Sequence, residues 1–447
     1  MGILSASRDG KESLTPVTLN TGTIFDLATG NFVPGKDGNM ILNGGLILSN
    51  GIGGRPQTFK SSTAISYVTN ALTNYPDAEG LVHDTEIVIR DKQRLVDLSG
   101  VNDTSLMDRM DLTNAASYGI EEFFTRVQQI VKEKEKHRKD LIRETPFVDI
   151  HGKPIRAWVP TIIAIDSWSA LMSNKELETY DKVELGDSKA NTLAMNEGRL
   201  KSDFSRLIPG WAARYGLYFV LTAHIDSKVE MNPYAPTSRD VPMMRSSDKL
   251  KRVGSQFKFL TPNMIDTRKT ELLQDSKKKC EFPSITASSD IELQKISAVV
   301  TRCKNNVSGA TFNHVSSQYY GIQKWLDYFL IIKECKSDLL TGTQTLKLAT
   351  YDTEFTRHNI RELIAKDPLF RRMLEVLGQF VYIRNNWNYP EISGMGYMEF
   401  AKKLNASKAL KDEILNSTGV WSFNDVKSDK PYMSIIDIVD KLNNKKK

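Results

Sequence analysis

Cysteine, histidine and long apolar runs are scarce in this sequence, and each scarcity argues against a class of protein. The three cysteines, Cys280, Cys303 and Cys335, stand far apart and form no C-x-x-C pair. This is typical of reduced thiols in a cytoplasmic protein and not of disulfides or a zinc site. The six histidines show no metal-ligand spacing. Because the chain has no run of about 18 apolar residues and no apolar N-terminal segment, we expect neither a membrane span nor export.

Charge of one sign is not in large excess either. The chain of 447 residues carries 60 basic and 54 acidic side chains, a net charge of +6. So mild a balance gives no global field that would attract nucleic acid, and any such binding has to come from local basic patches. The length allows one large core with smaller additions.

One segment carries a specific chemical signal. Residues 54–61 read Gly-Arg-Pro-Gln-Thr-Phe-Lys-Ser. Residues 45–50 are predicted to form a buried strand before it, and residues 62–73 a helix after it. A strand, a glycine-containing loop, Lys-Ser and a helix are the context of a phosphate-binding loop, in which backbone N–H groups surround the phosphates. The residues predicted to bind a nucleotide are Gly54, Arg55, Pro56, Gln57, Thr58, Phe59, Lys60, Ser61 and Ser62.

Two side chains of this loop have predicted roles toward ATP and Mg²⁺. Lys60 would reach the β- and γ-phosphates, and the Ser61 hydroxyl would contact the metal ion. Phe59 departs from the usual pattern G-x-x-x-x-G-K-[ST], in which this position is the second glycine. Glycine allows close approach of the backbone to the phosphates. Because Phe59 is bulky, two alternatives remain: the loop is inactive, or the Lys-Ser pair is an accidental match.

Three apolar segments end in polar residues that could join this loop. Residues 80–86 end at Glu86, the segment 158–167 ends in Asp166-Ser167, and residues 216–224 end at His224. In an open parallel sheet, ligands bind at the carboxyl ends of the strands. Asp166 would then bind Mg²⁺ mostly through water, Glu86 would polarise the attacking water, and His224 would sense the γ-phosphate. Each of them alone could equally be a strand-end residue that faces solvent.

The order and the amino-acid sequences of these segments resemble those of the RecA recombinases, most closely the UvsX-type proteins of tailed bacteriophages. The resemblance is specific over residues 45–61 and the following Tyr-Pro-Asp-Ala at 75–78. The family carries a Phe-Lys-Ser loop of this kind, so Phe59 fits the resemblance. Glu86 matches the family's catalytic glutamate, Asp166 its Walker B end and His224 its sensor position. Coverage extends from about residue 41 to about residue 330.

The resemblance implies a mechanism beyond the individual residues. RecA-like proteins form filaments on single-stranded DNA, bind ATP and Mg²⁺ between adjacent subunits, and pair the bound strand with homologous duplex DNA. Lys304 matches a lysine that reaches ATP in the neighbouring subunit, with Asn306 at the second lysine position. The implied setting is recombination, repair and replication in the cytoplasm of a bacterial host, with single-strand-binding and loader proteins as further partners and no membrane.

Two segments are candidates for DNA contact. Residues 226–252 form a long polar stretch without helical or strand period, and such stretches are often functional. Their basic side chains would neutralise phosphates, and their methionines and Tyr234 would contact bases. The segment 171–199 is the second candidate, with its basic end at Arg199 and Lys201. A solvated loop with scattered charge is the alternative. The predicted DNA contacts are Arg199, Lys201, Lys228, Arg239, Arg245, Lys249, Lys251 and Arg252.

The predicted organisation has three parts, each with its own role. Residues 1–40 are a candidate arm for docking onto a neighbouring subunit. Residues 41–333 form an α/β core of the RecA-like ATPase type, with a mainly parallel sheet flanked by helices. Within this core, residues 121–142 are predicted to form a long helix and residues 145–156 an inserted hairpin. Residues 334–447 form a small, mostly helical domain.

Other functions remain open at this stage. A RecA-fold ATPase that does not exchange strands, such as a hexameric helicase or a recombination mediator, would carry the same nucleotide residues. A DNA-coating protein with a degenerate nucleotide pocket would need none of the catalytic ones. The favoured hypothesis is the ATP-dependent recombinase, a DNA-dependent ATPase.

Overall fold

The computed structural model describes residues 14–114, 119–180, 189–227, 248–250, 252–253, 256–284, 289–426 and 430–444. In chain order its strands are β1 Asn31–Pro34, β2 Met40–Asn43, β3 Ser49–Gly54, β4 Glu79–Asp84, β5 Met110–Asn114, β6 Ile142–Val148, β7 Pro154–Trp158, β8 Thr161–Asp166, β9 Leu217–Ser227, β10 Asp248–Leu250, β11 Asn263–Leu272, β12 Leu293–Arg302, β13 Thr311–Ser317, β14 Gly321–Ile322, β15 Leu340–Thr341, β16 Thr345–Leu348 and β17 Phe355–Thr356.

The helices connect these strands and dominate the C-terminal part. In chain order they are α1 Ile24–Thr29, α2 Lys60–Asn74, α3 Gln93–Leu98, α4 Leu106–Arg109, α5 Ile120–Lys136, α6 Arg138–Leu141, α7 Asn174–Tyr180, α8 Lys189–Tyr215, α9 Phe257–Leu260, α10 Lys324–Glu334, α11 Ile360–Lys366, α12 Pro368–Asn386, α13 Pro390–Ser393, α14 Tyr397–Asn405, α15 Lys408–Leu415 and α16 Ile435–Asn444.

One large, mainly parallel sheet organises the chain. Its strand order is β14-β13-β12-β11-β3-β9-β8-β4-β5, and β10 pairs with β9 outside this path. Strands β11, β3, β9, β8, β4 and β5 are parallel to one another. Strands β12, β13 and β14 continue the sheet antiparallel at one edge. The predicted α/β architecture with a mainly parallel sheet is confirmed.

Both faces of the sheet are buried. In β8, Ile162 and Ala164 face a core that contains helix α2, whereas Ile163 and Ile165 face a second core that contains α5 and α8. A continuous apolar strand of this kind is typical of a parallel sheet covered by helices on both sides. Within the described ranges, no helix is long and apolar enough to cross a membrane.

The strand before the phosphate-binding loop is displaced from its predicted position. It covers Ser49–Gly54, so the prediction over residues 45–50 is wrong by four residues. The Met264 side chain lies over its glycines: a Cβ atom on Gly51 would stand 2.4 Å from the sulfur of Met264, and one on Gly53 would stand 2.9 Å from its methyl carbon. Glycines that indicate a loop in the sequence are here part of a central strand, because a neighbouring side chain approaches closely.

Other elements deviate less from their predictions. Helix α2 begins at Lys60, two residues earlier than predicted. The helix predicted over residues 121–142 ends at Lys136, and Ile142 already begins β6. The hairpin predicted over 145–156 is confirmed as the antiparallel pair β6 and β7.

The three predicted segments share one hydrophobic core. Phe25 from the N-terminal segment, Tyr67 from α2 and Trp421 from the C-terminal segment all belong to it. The segment 334–447 is largely helical, as predicted, and adds the small sheet of β15, β16 and β17. The docking role of the N-terminal segment stays a prediction, and residues 1–13 lie outside the described residues.

Close backbone contact joins the N-terminal segment to the chain before β3. The Asp26 carboxylate accepts hydrogen bonds from the Thr21 backbone at 2.9 Å and from the Gly22 backbone at 2.7 Å. Gly44 follows β2 and lies against the end of α1. A Cβ atom at Gly44 would stand 2.0 Å from the Asp26 carbonyl oxygen and 2.8 Å from the Gly30 α-carbon. Only glycine fits there without moving the backbone.

We expect Gly44→Ala to lower the free energy of unfolding by about 1–3 kcal/mol, because its methyl group meets backbone atoms that cannot rotate away. Gly198→Ala in helix α8 is the matched control, since a Cβ atom there meets nothing within 4 Å. It should be neutral or stabilising by up to about 1 kcal/mol. Urea unfolding followed by circular dichroism measures both, and equal stability of the two variants would contradict the expected packing.

Candidate nucleotide site

The register of the parallel strands brings the predicted residues to one edge of the sheet. Gly54 at the end of β3 pairs with His224 in β9, and Asp84 at the end of β4 pairs with Asp166 at the end of β8. On the other side of β3, Gly54 pairs with Thr267 in β11. The predicted convergence of strand ends is therefore confirmed.

The loop between β3 and α2 has a left-handed backbone at two residues. Gln57 has a φ of 63° and Phe59 a φ of 58°. A side chain in this region costs about 1–2 kcal/mol relative to glycine. Phe59 thus adopts a backbone conformation that favours glycine, the residue that the usual motif has at this position. Thr58 stabilises the loop, because its hydroxyl donates to the Arg55 carbonyl at 2.8 Å and shares a hydrogen bond with Thr267 at 2.8 Å.

Lys60 is the first residue of helix α2 and is 7% exposed. Within the described residues, its ammonium group makes no hydrogen bond or ion pair with another side chain or carbonyl. The helix also starts without a side-chain cap, so no capping side chain occupies its first backbone N–H groups. A largely buried lysine beside an uncapped helix N-terminus is an arrangement that favours an anionic ligand.

The rest of the loop surrounds this lysine. Arg55, Pro56 and Gln57 are exposed, whereas Thr58 is buried and Ser62 is partly buried. The predicted nucleotide residues therefore form one continuous loop around the start of α2.

Asp166 is the buried carboxylate of the site, with 2% exposure. Its Oδ1 atom accepts a hydrogen bond from Thr222 at 2.6 Å and another from Ser61 at 3.0 Å. Burial raises the pKa of Asp166, and the two hydroxyl donors oppose this shift. Thr222 was not predicted as a site residue, although it stands two positions before His224 and so shares its side of the strand.

The Ser61 hydroxyl and the Asp166 carboxylate fit Mg²⁺, which takes oxygen ligands and keeps several waters. No cluster of three or more histidine, cysteine, aspartate or glutamate side chains suited to a metal ion occurs in the described ranges. Protein groups alone would therefore hold the ion weakly, and phosphate oxygens would complete its coordination.

Glu86 and His224 are in direct contact. The Nε2 atom of His224 lies 2.8 Å from Glu86 Oε1 and 3.1 Å from the Ser167 hydroxyl. The hydrogen bond with His224 is the main cause that lowers the pKa of Glu86. The nearby charge of Lys60 acts in the same direction. A carboxylate that stays ionised and partly exposed at this edge can accept a hydrogen bond from water.

The turn that carries Glu86 is anchored by a buried aspartate. Asp84 accepts hydrogen bonds from the Glu86 backbone at 3.1 Å and from the Ile89 backbone at 2.6 Å. The Thr85 backbone donates to the Asp166 carbonyl at 2.6 Å. These bonds hold the turn against the end of β8 and so set the distance between the two carboxylates.

Lys304 lies away from this edge. It follows Arg302, which pairs with Met264 at the start of β11, where the parallel strands begin. Lys304 is exposed there and cannot join Lys60 within one subunit. The Asn306 amide donates to the Gly30 carbonyl at 2.6 Å and is therefore engaged inside the chain.

The predicted DNA contacts separate into four groups. Lys201 is 1% exposed and donates to the Arg252 carbonyl at 3.0 Å, so the prediction that it contacts DNA is wrong for this structure. Arg199 is exposed on α8 near Asp203, at 3.9 Å, and Arg252 is exposed before α9. Lys249 is described only as a backbone position in β10. The predicted contacts that lie outside the described residues are Lys228, Arg239, Arg245 and Lys251.

Comparison of the chain with protein-family models and with curated proteins finds no match.

We expect His224→Ala to raise the pKa of the Glu86 carboxyl group toward its ordinary value of 4.5, because the main stabilising hydrogen bond is lost. A native pKa below that value means that ionised Glu86 stabilises the fold above pH 4.5 and that this contribution is lost as the pH falls through the native pKa. Carbon-13 NMR of labelled glutamate, assigned with Glu86→Gln, measures the pKa. Ser167→Ala is the control and should cause the smaller rise; the reverse order would contradict the assignment.

Proposed function

We propose that this protein is a Mg²⁺- and DNA-dependent ATPase of the RecA recombinase type, which forms filaments on single-stranded DNA and pairs it with homologous duplex DNA. One observation carries the nucleotide part of the proposal. The Lys60 side chain is largely buried, its ammonium group has no partner in the described residues, and the next residue, Ser61, contacts Asp166. An anion with a bound divalent cation satisfies all three groups.

The side chains would act on ATP as follows. The loop backbone and Lys60 would bind the β- and γ-phosphates, while Ser61 and Asp166 would hold Mg²⁺, which when bound neutralises charge on the phosphates. Glu86 would orient the attacking water. His224, in contact with Glu86 at 2.8 Å, would report the γ-phosphate to the segment that follows β9. Hydrolysis of this kind depends mainly on position and charge.

The assembly part of the proposal rests on the RecA-like resemblance and on the place of Lys304. A lysine at the edge where the parallel strands begin would complete a site only on a neighbouring subunit. Such a contact joins two different surfaces and generates a helical filament or a ring. The proposed partners are single- and double-stranded DNA, further copies of the chain, and single-strand-binding and loader proteins. The proposed setting is the cytoplasm of a bacterial host.

The test is ATP hydrolysis with and without single-stranded DNA, with negative-stain microscopy of the same samples. We expect strong stimulation by DNA together with helical filaments. Lys60→Ala should lower hydrolysis at least about a hundredfold, because it removes charge stabilisation of the phosphates. Glu86→Gln should lower hydrolysis by about two to four orders of magnitude while ATP still binds. Lys408→Ala, an exposed lysine of α15, is the control and should retain full activity.

Each other outcome assigns a different function. Closed rings with DNA unwinding would indicate a helicase. Unchanged hydrolysis in Lys60→Ala would remove the loop from the reaction, and retained turnover in Glu86→Gln would remove that carboxylate. DNA binding without hydrolysis or assembly would leave a DNA-coating protein with an inactive nucleotide loop.

A subunit-mixing experiment tests the proposed role of Lys304. Lys60→Ala and Lys304→Ala should each be inactive alone. Their equimolar mixture should regain activity, because about a quarter of randomly formed interfaces would join an intact Lys60 to an intact Lys304 of the next subunit. A mixture no more active than its components would place the function of Lys304 within its own subunit or outside the reaction.

A further inference from the structure

A cavity of about 460 Å³ lies apart from the nucleotide loop. Asp97 at the end of α3 and the following residues 99–102 form one wall, and Tyr320 with residues 322–326 around the start of α10 forms another. Helices α11 and α12 close it through Arg361 and Arg371. Its volume is within the range of small-molecule sites, and none of the residues 54–62 lines it.

Two cations in this cavity have no direct counter-ion. Neither the ammonium group of Lys324 nor the guanidinium group of Arg371 makes a hydrogen bond or ion pair within the described parts of the chain. Both lie over the same indole: Lys324 Nζ is 4.8 Å and Arg371 Cζ is 5.0 Å from the ring centroid of Trp325. The shared ring holds two like charges close together. Burial lowers the pKa of both groups. At Lys324 the charges of Glu375 and Asp26 oppose this shift and the smaller effect of Arg371 adds to it, and at Arg371 the charge of Asp367 opposes it.

The carboxylates whose charges act on these cations, Asp26, Asp367 and Glu375, already have partners within the chain. Asp26 accepts hydrogen bonds from the backbones of Thr21 and Gly22. Asp367 accepts hydrogen bonds from the Tyr351 hydroxyl at 2.6 Å and from the backbone of Leu369 at 2.9 Å, where it caps α12. Glu375 pairs with Arg372 at 3.0 Å.

The acidic residues that line the cavity have partners of their own. Glu362 pairs with Lys366 at 2.6 Å, and Asp97 accepts from Gln93 at 3.0 Å. Arg361, the other arginine of the wall, is paired with the buried Glu292. Lys324 and Arg371 are therefore the cations left to meet a ligand.

We propose that this cavity binds a small phosphorylated molecule, with its phosphate group held between Lys324 and Arg371. A phosphate monoester carries close to two negative charges at neutral pH, which matches the two cations. Arginine binds phosphate through two parallel hydrogen bonds. Helix α10 begins at Lys324 without a side-chain cap, so its first backbone N–H groups are free to bind the same anion. A volume of about 460 Å³ suits a small molecule.

The walls of the cavity are held in place by the core. The Ser66 hydroxyl of α2 donates to the Leu98 carbonyl at 3.0 Å and accepts from the Ile322 backbone at 3.2 Å. Gly321 has a φ of 64° and packs on the same serine. These contacts tie both walls to one buried helix, so the cavity is a built feature of the fold and not a gap between surface loops.

The test measures binding of inorganic pyrophosphate by calorimetry in the Lys60→Ala protein, where the nucleotide loop is disabled. We expect one site per chain, weakened about tenfold or more by Arg371→Gln and further by Lys324→Gln, since tenfold corresponds to about 1.4 kcal/mol of lost binding. Lys408→Gln is the control and should bind as tightly as the parent. Melting curves confirm that each variant is folded, and Arg371→Gln alone decides the result if the combined variant is not.

Two results would overturn the proposal. Pyrophosphate affinity that is the same with and without Lys324 and Arg371 would remove the cavity as the site. A single-stranded oligonucleotide that displaces pyrophosphate only while both cations are present would assign them to a nucleic-acid backbone. Because the measurement needs no ATP hydrolysis, it stands or fails independently of the proposed recombinase activity.

Discussion

The parallel pairing of β3, β9, β8 and β4 is the constraint on which the candidate site depends. Residues at the ends of these strands come from distant parts of the sequence and meet only because the strands are in register. In a strand, a slip by one residue turns every side chain to the opposite face. Such a slip in β9 would move Thr222 away from Asp166, which it contacts at 2.6 Å. The continuous apolar faces of the sheet, buried by helices on both sides, prevent that slip.

The burial of Asp166 is the second feature on which the candidate site depends. It explains why hydroxyl groups surround this carboxylate. A carboxylate withdrawn from water has to be hydrogen-bonded, or its charged form becomes unfavourable. Ser61 and Thr222 supply those bonds, and Ser61 links the carboxylate to the loop that contains Lys60. The same arrangement places oxygen atoms where the proposed divalent cation would bind. Structural necessity and proposed chemistry therefore use the same three side chains.

Local sequence patterns were sufficient to predict which polar residues meet at one edge of the sheet. Lys60, Glu86, Asp166 and His224 follow apolar strands, and a parallel sheet collects such positions at one edge. Other predictions failed because burial and strand position depend on residues that are distant in the sequence. A basic residue near a candidate DNA segment looks exposed, yet Lys201 is buried and bonded to a carbonyl. Glycines before the loop look like a break, yet a methionine side chain from β11 packs over them in a central strand.

The sequence by itself determined the α/β class, the loop and helix that present Lys60, and the polar residues at the strand ends, because these follow from periodicity and from residue chemistry within short segments. Only the tertiary structure decided that N- and C-terminal segments share one core, that Lys304 lies at the opposite edge of the sheet, and that Lys324 and Arg371 both lie near the Trp325 ring. Those facts depend on contacts between residues far apart in the chain. No local pattern encodes such contacts, since burial and charge pairing are properties of the packed molecule.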